Sequence, residues 1–294
     1  VSETIRIRPR VVAHYGQTQT LQPKKRATDV RVVLVSDTHN VQIDPALFPE
    51  GDLLLHAGDH TIDGTKEQLE RAAAWLKTIA TRYTYGCITI AGNHDKPLDM
   101  VSFRKAMGTT EIPAWGQDDL GYARGLFSSD GVILLHHEPF SIAGLTLFGS
   151  PYVPLSPKKQ KMSLDDPART LGFNRDDSDL DSLYGAIPPR VDILMTHTPA
   201  FGLLDESIYY AGARREEPVH IGSTVLRKWW SSREQGARPL LHVFGHEHDS
   251  RGLRYDRDVG SLLCNAAAVD GDRGVGGYVL KRGFRATVVD FRVD

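Results

Sequence analysis

Five short apolar runs in this chain end in side chains that bind metals or carry protons. RVVLVS (31–36) leads into Asp37 and His39, and DLLLHAG (52–58) leads into Asp59 and His60. CITIAG (87–92) leads into Asn93, His94 and Asp95, VDILMT (191–196) into His197, and LLHVFG (240–245) into His246, Glu247 and His248. Carboxylate, imidazole and amide oxygen, with no thiolate, suit Mn, Fe or Zn. One such ending reads as an ordinary turn or cap, because Asp and Asn commonly stop a strand. Five in one chain imply a shared polar site. Gly58, Gly92 and Gly245 stand just ahead of three of these sets. A missing Cβ there permits close approach and a sharp turn. The remaining histidines show no such context. His56 and His242 lie inside apolar runs, and His14, His136, His137 and His220 belong to no motif. They read as ordinary core or surface residues.

Elements must bring these endings together. The runs are short and rich in Val, Ile and Leu, which reads as strands, several of them buried on both faces. VILLH (132–136) and LTLFG (145–149) join them, and SIAGLTLFG reads as a hairpin turning at Ala143-Gly144. SLLCNAAAV, GGYVLKRG and FRATVVDFRV read as further antiparallel strands. TKEQLERAAAWLKTIATR carries a capping box, Thr65 with Gln68, and an apolar stripe Leu69, Ala72, Trp75 or Leu76, Ile79. Residues 100–107 read as a short helix stopped by Gly108, and a second one capped by Ser223 is expected to carry Trp229 and Trp230 as core residues. The charged segment 152–186 is weakly periodic and reads as a long loop, a form that in a compact domain is usually functional or disordered. Open α/β sheets place their sites at the carboxyl ends of the strands, which is where the ligand sets fall.

D-x-H (37–39), GD (58–59), GNHD (92–95), His197 and GHEH (245–248) follow the order of a known signature. Over residues 30–268 the chain resembles the calcineurin-like metallophosphoesterases. HAGD (56–59), LFGSPY (147–152), VDILMTHTP (191–199) and CNA (264–266) resemble the branch that includes brain-expressed metallophosphodiesterases. The resemblance implies an α/β fold: a two-layer β-sandwich of mixed sheets flanked by α-helices, with two divalent metal ions at one edge. Under it, Asp37, His39 and His248 hold one ion, Asn93, His197 and His246 hold the other, and Asp59 bridges them. A metal-bridging hydroxide then attacks phosphorus. His94 is the implied general acid, with Asp95 orienting its ring. His60 stands where the family more often has Phe or Thr and is expected to touch substrate. Tyr152, after GSP, and Asn174 and Arg175, in a GFN-like segment, are expected to do the same.

Composition bounds the partners. The chain has 294 residues, 40% hydrophobic and 24% charged, with 35 Lys plus Arg against 37 Asp plus Glu. A net charge of −2 and no basic stripe argue against long nucleic acid as a partner. No apolar segment is long enough to cross a membrane, and no apolar leader core is visible at the N-terminus. Cys87 and Cys264 sit in apolar runs and read as buried thiols, which fits a reducing, cytoplasmic setting. Residues 1–29 read as a strand and linker arm, and 30–294 as one domain. The expected activity is hydrolysis of a small-molecule phosphodiester. Hydrolysis of a small organic monoester or diphosphate is the alternative. A silent metal- or nucleotide-binding scaffold ranks third, because the ligand set is complete.

Overall fold

Strand Val30–Val35 alternates its side chains between two cores. Val32 and Leu34 pack with Leu53, Leu55, Ile88 and Ile90 into an apolar layer that also holds Leu147, Ile193, Met195, Leu241 and Val243. Val33 and Val35 face the other way, against Leu69, Leu76 and Ile79. Side chains on one strand point alternately to opposite faces, so a strand apolar on both faces must be covered on both. This demand gives the architecture of the computed structural model, which describes residues 3–8, 11–15, 28–106, 119–210, 213–272 and 277–293.

Two mixed sheets stack face to face. The larger runs in the order Glu3–Arg8, Val11–Tyr15, Thr287–Phe291, Val30–Val35, Leu53–His56, Cys87–Ile90, Val132–Leu135. Its last four strands are parallel. The smaller runs Gly252–Asp256, Ser261–Asn265, Leu241–Phe244, Ile193–Thr196, Leu145–Ser150, Glu138–Ile142, and its four central strands are parallel. The helix Lys66–Ala80 covers the outer face of the large sheet, burying Leu69, Ala72, Leu76 and Ile79. The helices Asp177–Gly185 and Thr224–Ser231 cover the outer face of the small one through Leu180, Tyr184, Leu226 and Trp230. The expected sandwich flanked by helices is therefore the fold. No helix among the described residues is long and apolar enough to cross a membrane.

The sheets are joined at the edge where the parallel strands end. Ser36 forms a parallel bridge to Ala267. Its N–H donates to the Ala266 carbonyl at 3.0 Å, and its carbonyl accepts from Ala268 N at 2.8 Å. That bridge carries Asp37 from the large sheet toward the small one.

Several local expectations hold. The Ala143-Gly144 turn has φ of 52° and 74°, the primed geometry that suits a tight hairpin. Thr65 Oγ1 accepts from Gln68 N at 3.2 Å. Gln68 Oε1 reaches back to the N–H groups of Asp63 (2.8 Å) and Gly64 (3.2 Å), so the box closes ahead of its usual partner. Cys87 and Cys264 are buried free thiols.

Others are corrected. The Ser261–Asn265 strand is antiparallel only to Gly252–Asp256 and pairs parallel with Leu241–Phe244. The N-terminal strand expectation holds at Glu3–Arg8, on the edge of the large sheet, and a second strand, Val11–Tyr15, joins it there with Val11 buried in the sandwich core. The 16–27 part of the linker lies outside the described residues. Segment 152–186 is not an irregular loop. Val153–Pro154 pairs with Asn174–Arg175, and a helix follows at Asp177, capped by Asp176 accepting from Asp179 N at 3.1 Å. The helix was hidden because DSDLDSLYG buries only Leu180 and Tyr184, too few apolar positions to show a period.

Candidate metal centre

The strand endings converge. Three sets of side chains each bring ligand atoms within 4.8 Å of one another: Asp37, His39 and His248; Asp59, His197 and His246; and His39, Asp59 and His94. Asp59 belongs to two of these sets. Its Oδ2 lies 3.1 Å from His197 Nε2 and 3.7 Å from His39 Nε2, and its Oδ1 accepts from His94 N at 2.8 Å. Asn93 Oδ1 is 3.1 Å from His197 Nε2, and Asp37 Oδ1 is 3.3 Å from His248 Nε2. All seven expected ligands, Asn93 among them, thus lie in one cluster.

The backbone is bent to achieve this. Asp37, His39, Asp59 and His246 have φ of 52°, 41°, 55° and 69°. The left-handed region is costly for residues with a Cβ and persists only where the surroundings enforce it. Enforcement comes from the loop hydrogen bonds. Asp37 N donates to Gly58 O at 2.9 Å, Thr38 N and His39 N both donate to Asp59 O, and Gly245 N donates to His197 O at 3.1 Å. Two glycines contribute by what they lack. A Cβ on Gly245 would stand 1.8 Å from Asp37 Oδ2, and one on Gly92 would stand 2.2 Å from Asp59 Oδ1.

The donor set fits divalent cations. His39 Nδ1 donates to Thr61 O at 2.8 Å and His197 Nδ1 to Ala57 O at 2.9 Å, which leaves each Nε2 facing the cluster. A ring nitrogen held by a carbonyl, with its partner nitrogen free to ligate, is the usual arrangement around a metal. His39 Nε2 is buried with no hydrogen-bond partner, and a buried polar atom left so normally has an ion or water to meet. Oxygen and imidazole donors without thiolate match Mn, Fe or Zn.

The electrostatics agree. Burial pushes the Asp37 carboxyl up, but the hydrogen bond and charge of His248, helped by His197, outweigh it and hold the group well below the usual carboxylate range. Asp59 follows the same pattern, with His197 and His94 overcoming burial. Desolvation lowers His39 to about 3 and His246 to about 4, so both rings are neutral and able to ligate. His197 goes the other way. Burial lowers it, but Asp59 and Asp37 raise it to about 10 when no cation is present. Glu247 is pushed up to about 8 by burial and by Asp37.

Other expected residues fall elsewhere. Asp95 does not orient His94. Its carboxylate accepts from the N–H groups of His60 (3.2 Å), Thr61 (3.0 Å) and Gly92 (3.0 Å), tying two ligand loops together. His94 is oriented by the Ile62 carbonyl, which accepts from its Nδ1 at 2.5 Å. His60 is a core residue, 1% exposed, stacked on His56 at 4.0 Å and bonded to Thr89. Arg175 is engaged by Asp99 at 3.4 Å and by the carbonyls of Thr170 and Asn174, with its guanidinium over Tyr152 at 4.9 Å. Tyr152 packs among His136, His137 and Phe173. The Asn174 amide donates to the Leu171 and Gly172 carbonyls, although the residue does line the cavity beside the centre. These last three hold the 152–186 segment together. His56 and His242 are core residues as expected, bonded to Thr38 and Thr196.

One contact had no sequence signal. Tyr278 stacks on His39, with ring centroids 3.9 Å apart and planes within 4°. It comes from the hairpin pairing Val269–Asp272 with Gly277–Leu280, and GGYVL carries no spacing that would assign it to the site.

Two outcomes follow from this geometry. Gly245→Ala should weaken metal binding by roughly 10- to 100-fold, the range for disturbing groups that orient ligands, with the circular dichroism spectrum retained. Isothermal titration of the metal-free variant and parent with Mn²⁺ measures it. The second concerns protons. His197 in the metal-free protein lies above its unfolded value. Its stabilising contribution is therefore full below the ordinary histidine range and lost as pH rises through about 10. A ligating imidazole must be neutral, so metal binding at pH 7 should release a proton from this group. Titrations in buffers of different ionisation enthalpy would show it as a heat that scales with the buffer.

Comparison with known proteins agrees. The model of the calcineurin-like phosphoesterase family matches residues 30–250. The chain is 36% identical over 247 residues to probable rhamnogalacturonate lyase C of Emericella nidulans, covering 81% of this chain and 19% of that protein. It is 29% identical over 240 residues to a UPF0046 protein of Caenorhabditis elegans, covering 80% of this chain and 70% of the relative. Against human metallophosphoesterase domain-containing protein 1 it is 29% identical over 236 residues, covering 77% of this chain and 63% of the relative. It thus spans less than a fifth of the first relative and less than two thirds of the human one. With its ligand clusters at the sheet edge and the family model spanning most of its length, the chain belongs to the calcineurin-like phosphoesterases.

Proposed function

We propose that this chain hydrolyses small-molecule phosphodiesters using two divalent ions. One observation carries the reading. Asp59 stands between two ligand sets, and the His39 Nε2 atom beside it is buried with no partner. Asp37, His39 and His248 would hold one ion, Asn93, His197 and His246 the other, and Asp59 would offer an oxygen to each. When bound, the ions supply Lewis acidity, lowering the pKa of a water and drawing charge from the phosphoryl oxygens.

The protein's own groups do the rest. Backbone N–H groups of His246 and His94 hold the two carboxylates in place at 2.8–2.9 Å. Tyr278 covers the face of His39 and limits access of bulk water to that side. His94 is the general acid in this reading. Its Nδ1 proton is committed to the Ile62 carbonyl, so the ring would act as the imidazolium, passing its Nε2 proton to the departing alkoxide and returning to the neutral Nδ1–H form. A cavity of about 620 Å³, lined by Asn93, His94 and His246, lies beside the centre. Its volume exceeds what a phosphate alone would fill, which supports an ester carrying an organic group.

The test strips the protein of metal, reloads it with Mn²⁺ and compares bis-p-nitrophenyl phosphate with p-nitrophenyl phosphate. A higher kcat/KM for the diester is expected. A higher value for the monoester would replace the reading with a phosphomonoesterase. No hydrolysis of either, with metal shown to be bound, would make the chain a binding scaffold.

A further inference from the structure

The cavity beside the metal centre is also lined by Phe201, His220 and Ile221, which no motif marks. His220 belongs to the strand Ala213–His220 and is held in a built arrangement. Its Nδ1 donates to Asp205 Oδ1 at 2.7 Å. Asp205 is fully buried, and its other oxygen accepts from Gly202 N at 3.0 Å and Gly222 N at 2.9 Å. A Cβ at Gly222 would come within 2.9 Å of that oxygen. A buried carboxylate whose oxygens are all engaged is costly to place and fixes the one imidazole it holds.

That imidazole is 42% exposed, and its Nε2 approaches Glu206 only to 3.9 Å, beyond hydrogen-bond reach. With the proton on Nδ1, neutral His220 presents Nε2 as an acceptor. Phe201 lies beside it, 40% exposed, with ring centroids 5.5 Å apart at 58°. An exposed phenyl ring on a cavity wall is an apolar surface available for stacking.

We propose that Phe201 and His220 bind the organic group of the ester: a planar ring that lies on Phe201 and donates an N–H or O–H hydrogen bond to His220 Nε2. This rests on the phosphoesterase reading of the same site and adds the class of group it accepts. Asp205 is a positioning residue in this scheme, acting through His220.

The test uses two esters that release the same p-nitrophenolate. One is the p-nitrophenyl ester of thymidine 5′-phosphate, whose planar base carries an N–H. The other is methyl p-nitrophenyl phosphate, which has no second ring. The Mn²⁺-loaded parent should prefer the thymidine ester in kcat/KM. His220→Ala and Phe201→Ala should each lower that preference by roughly fivefold or more, the scale of one hydrogen bond or one stacked ring. His220→Gln, which keeps an acceptor, should recover part of it. General damage would lower both esters alike. An unchanged ratio in both alanine variants therefore overturns the proposal while leaving the phosphoesterase reading intact. A parent that cleaves neither ester overturns that reading, and the proposal with it.

Discussion

Two carboxylates, Asp37 and Asp59, are buried together where the sheets meet, one 0% and the other 2% exposed. Uncompensated charge in such a place costs several kcal/mol per group. The rest of the site can be understood as the compensation. Backbone N–H groups of His246 and His94 point at the two carboxylates, and the imidazoles of His248 and His197 contact them. With cations absent, His197 takes up a proton to balance the charge. In the proposed centre the same oxygens would be the ligands. The pocket's two buried carboxylates and neutral imidazoles are the donor set that a cation would meet there.

Holding that pocket requires backbone that ordinary sequences avoid. Left-handed conformations at Asp37, His39, Asp59 and His246 turn the chain sharply after each strand. Each has a cost of order 1–3 kcal/mol, offset by the surrounding sandwich. The parallel strands supply rigid starting points, and the Ser36–Ala267 bridge fixes the two sheets relative to each other. Asp95 then ties the loop after Leu53–His56 to the loop after Cys87–Ile90 through three backbone donors. A rigid frame with strained ligand loops is how short strand endings, far apart in sequence, meet within a few ångströms.

Much of this was legible in the residues. Strand endings with imidazole and carboxylate identify the edge, because few other roles put such groups after buried strands. The apolar runs are short and continuous, so their burial on both faces could be read directly. The glycines before the ligands signalled close approach, and the Cβ positions at Gly92 and Gly245 bear that out. What stayed hidden depends on contacts between residues with no shared period. His60 touches a motif in sequence yet points into the core, because Thr89 and the Ile90 carbonyl claim its ring. Arg175 looks like a free phosphate ligand until Asp99, distant in sequence, is seen beside it. Tyr278 and the Asp205–His220 pair reach the site through hairpins whose placement no local pattern encodes.

In the proposed centre Asp59 joins two ion sites into one. The most direct measurement is the metal content of the reloaded protein and of Asp59→Asn, by mass spectrometry of the dialysed samples. Two ions per chain are expected in the parent and at most one, weakly held, in the variant. Two tightly held ions in Asp59→Asn, or a single ion in the parent, would contradict it.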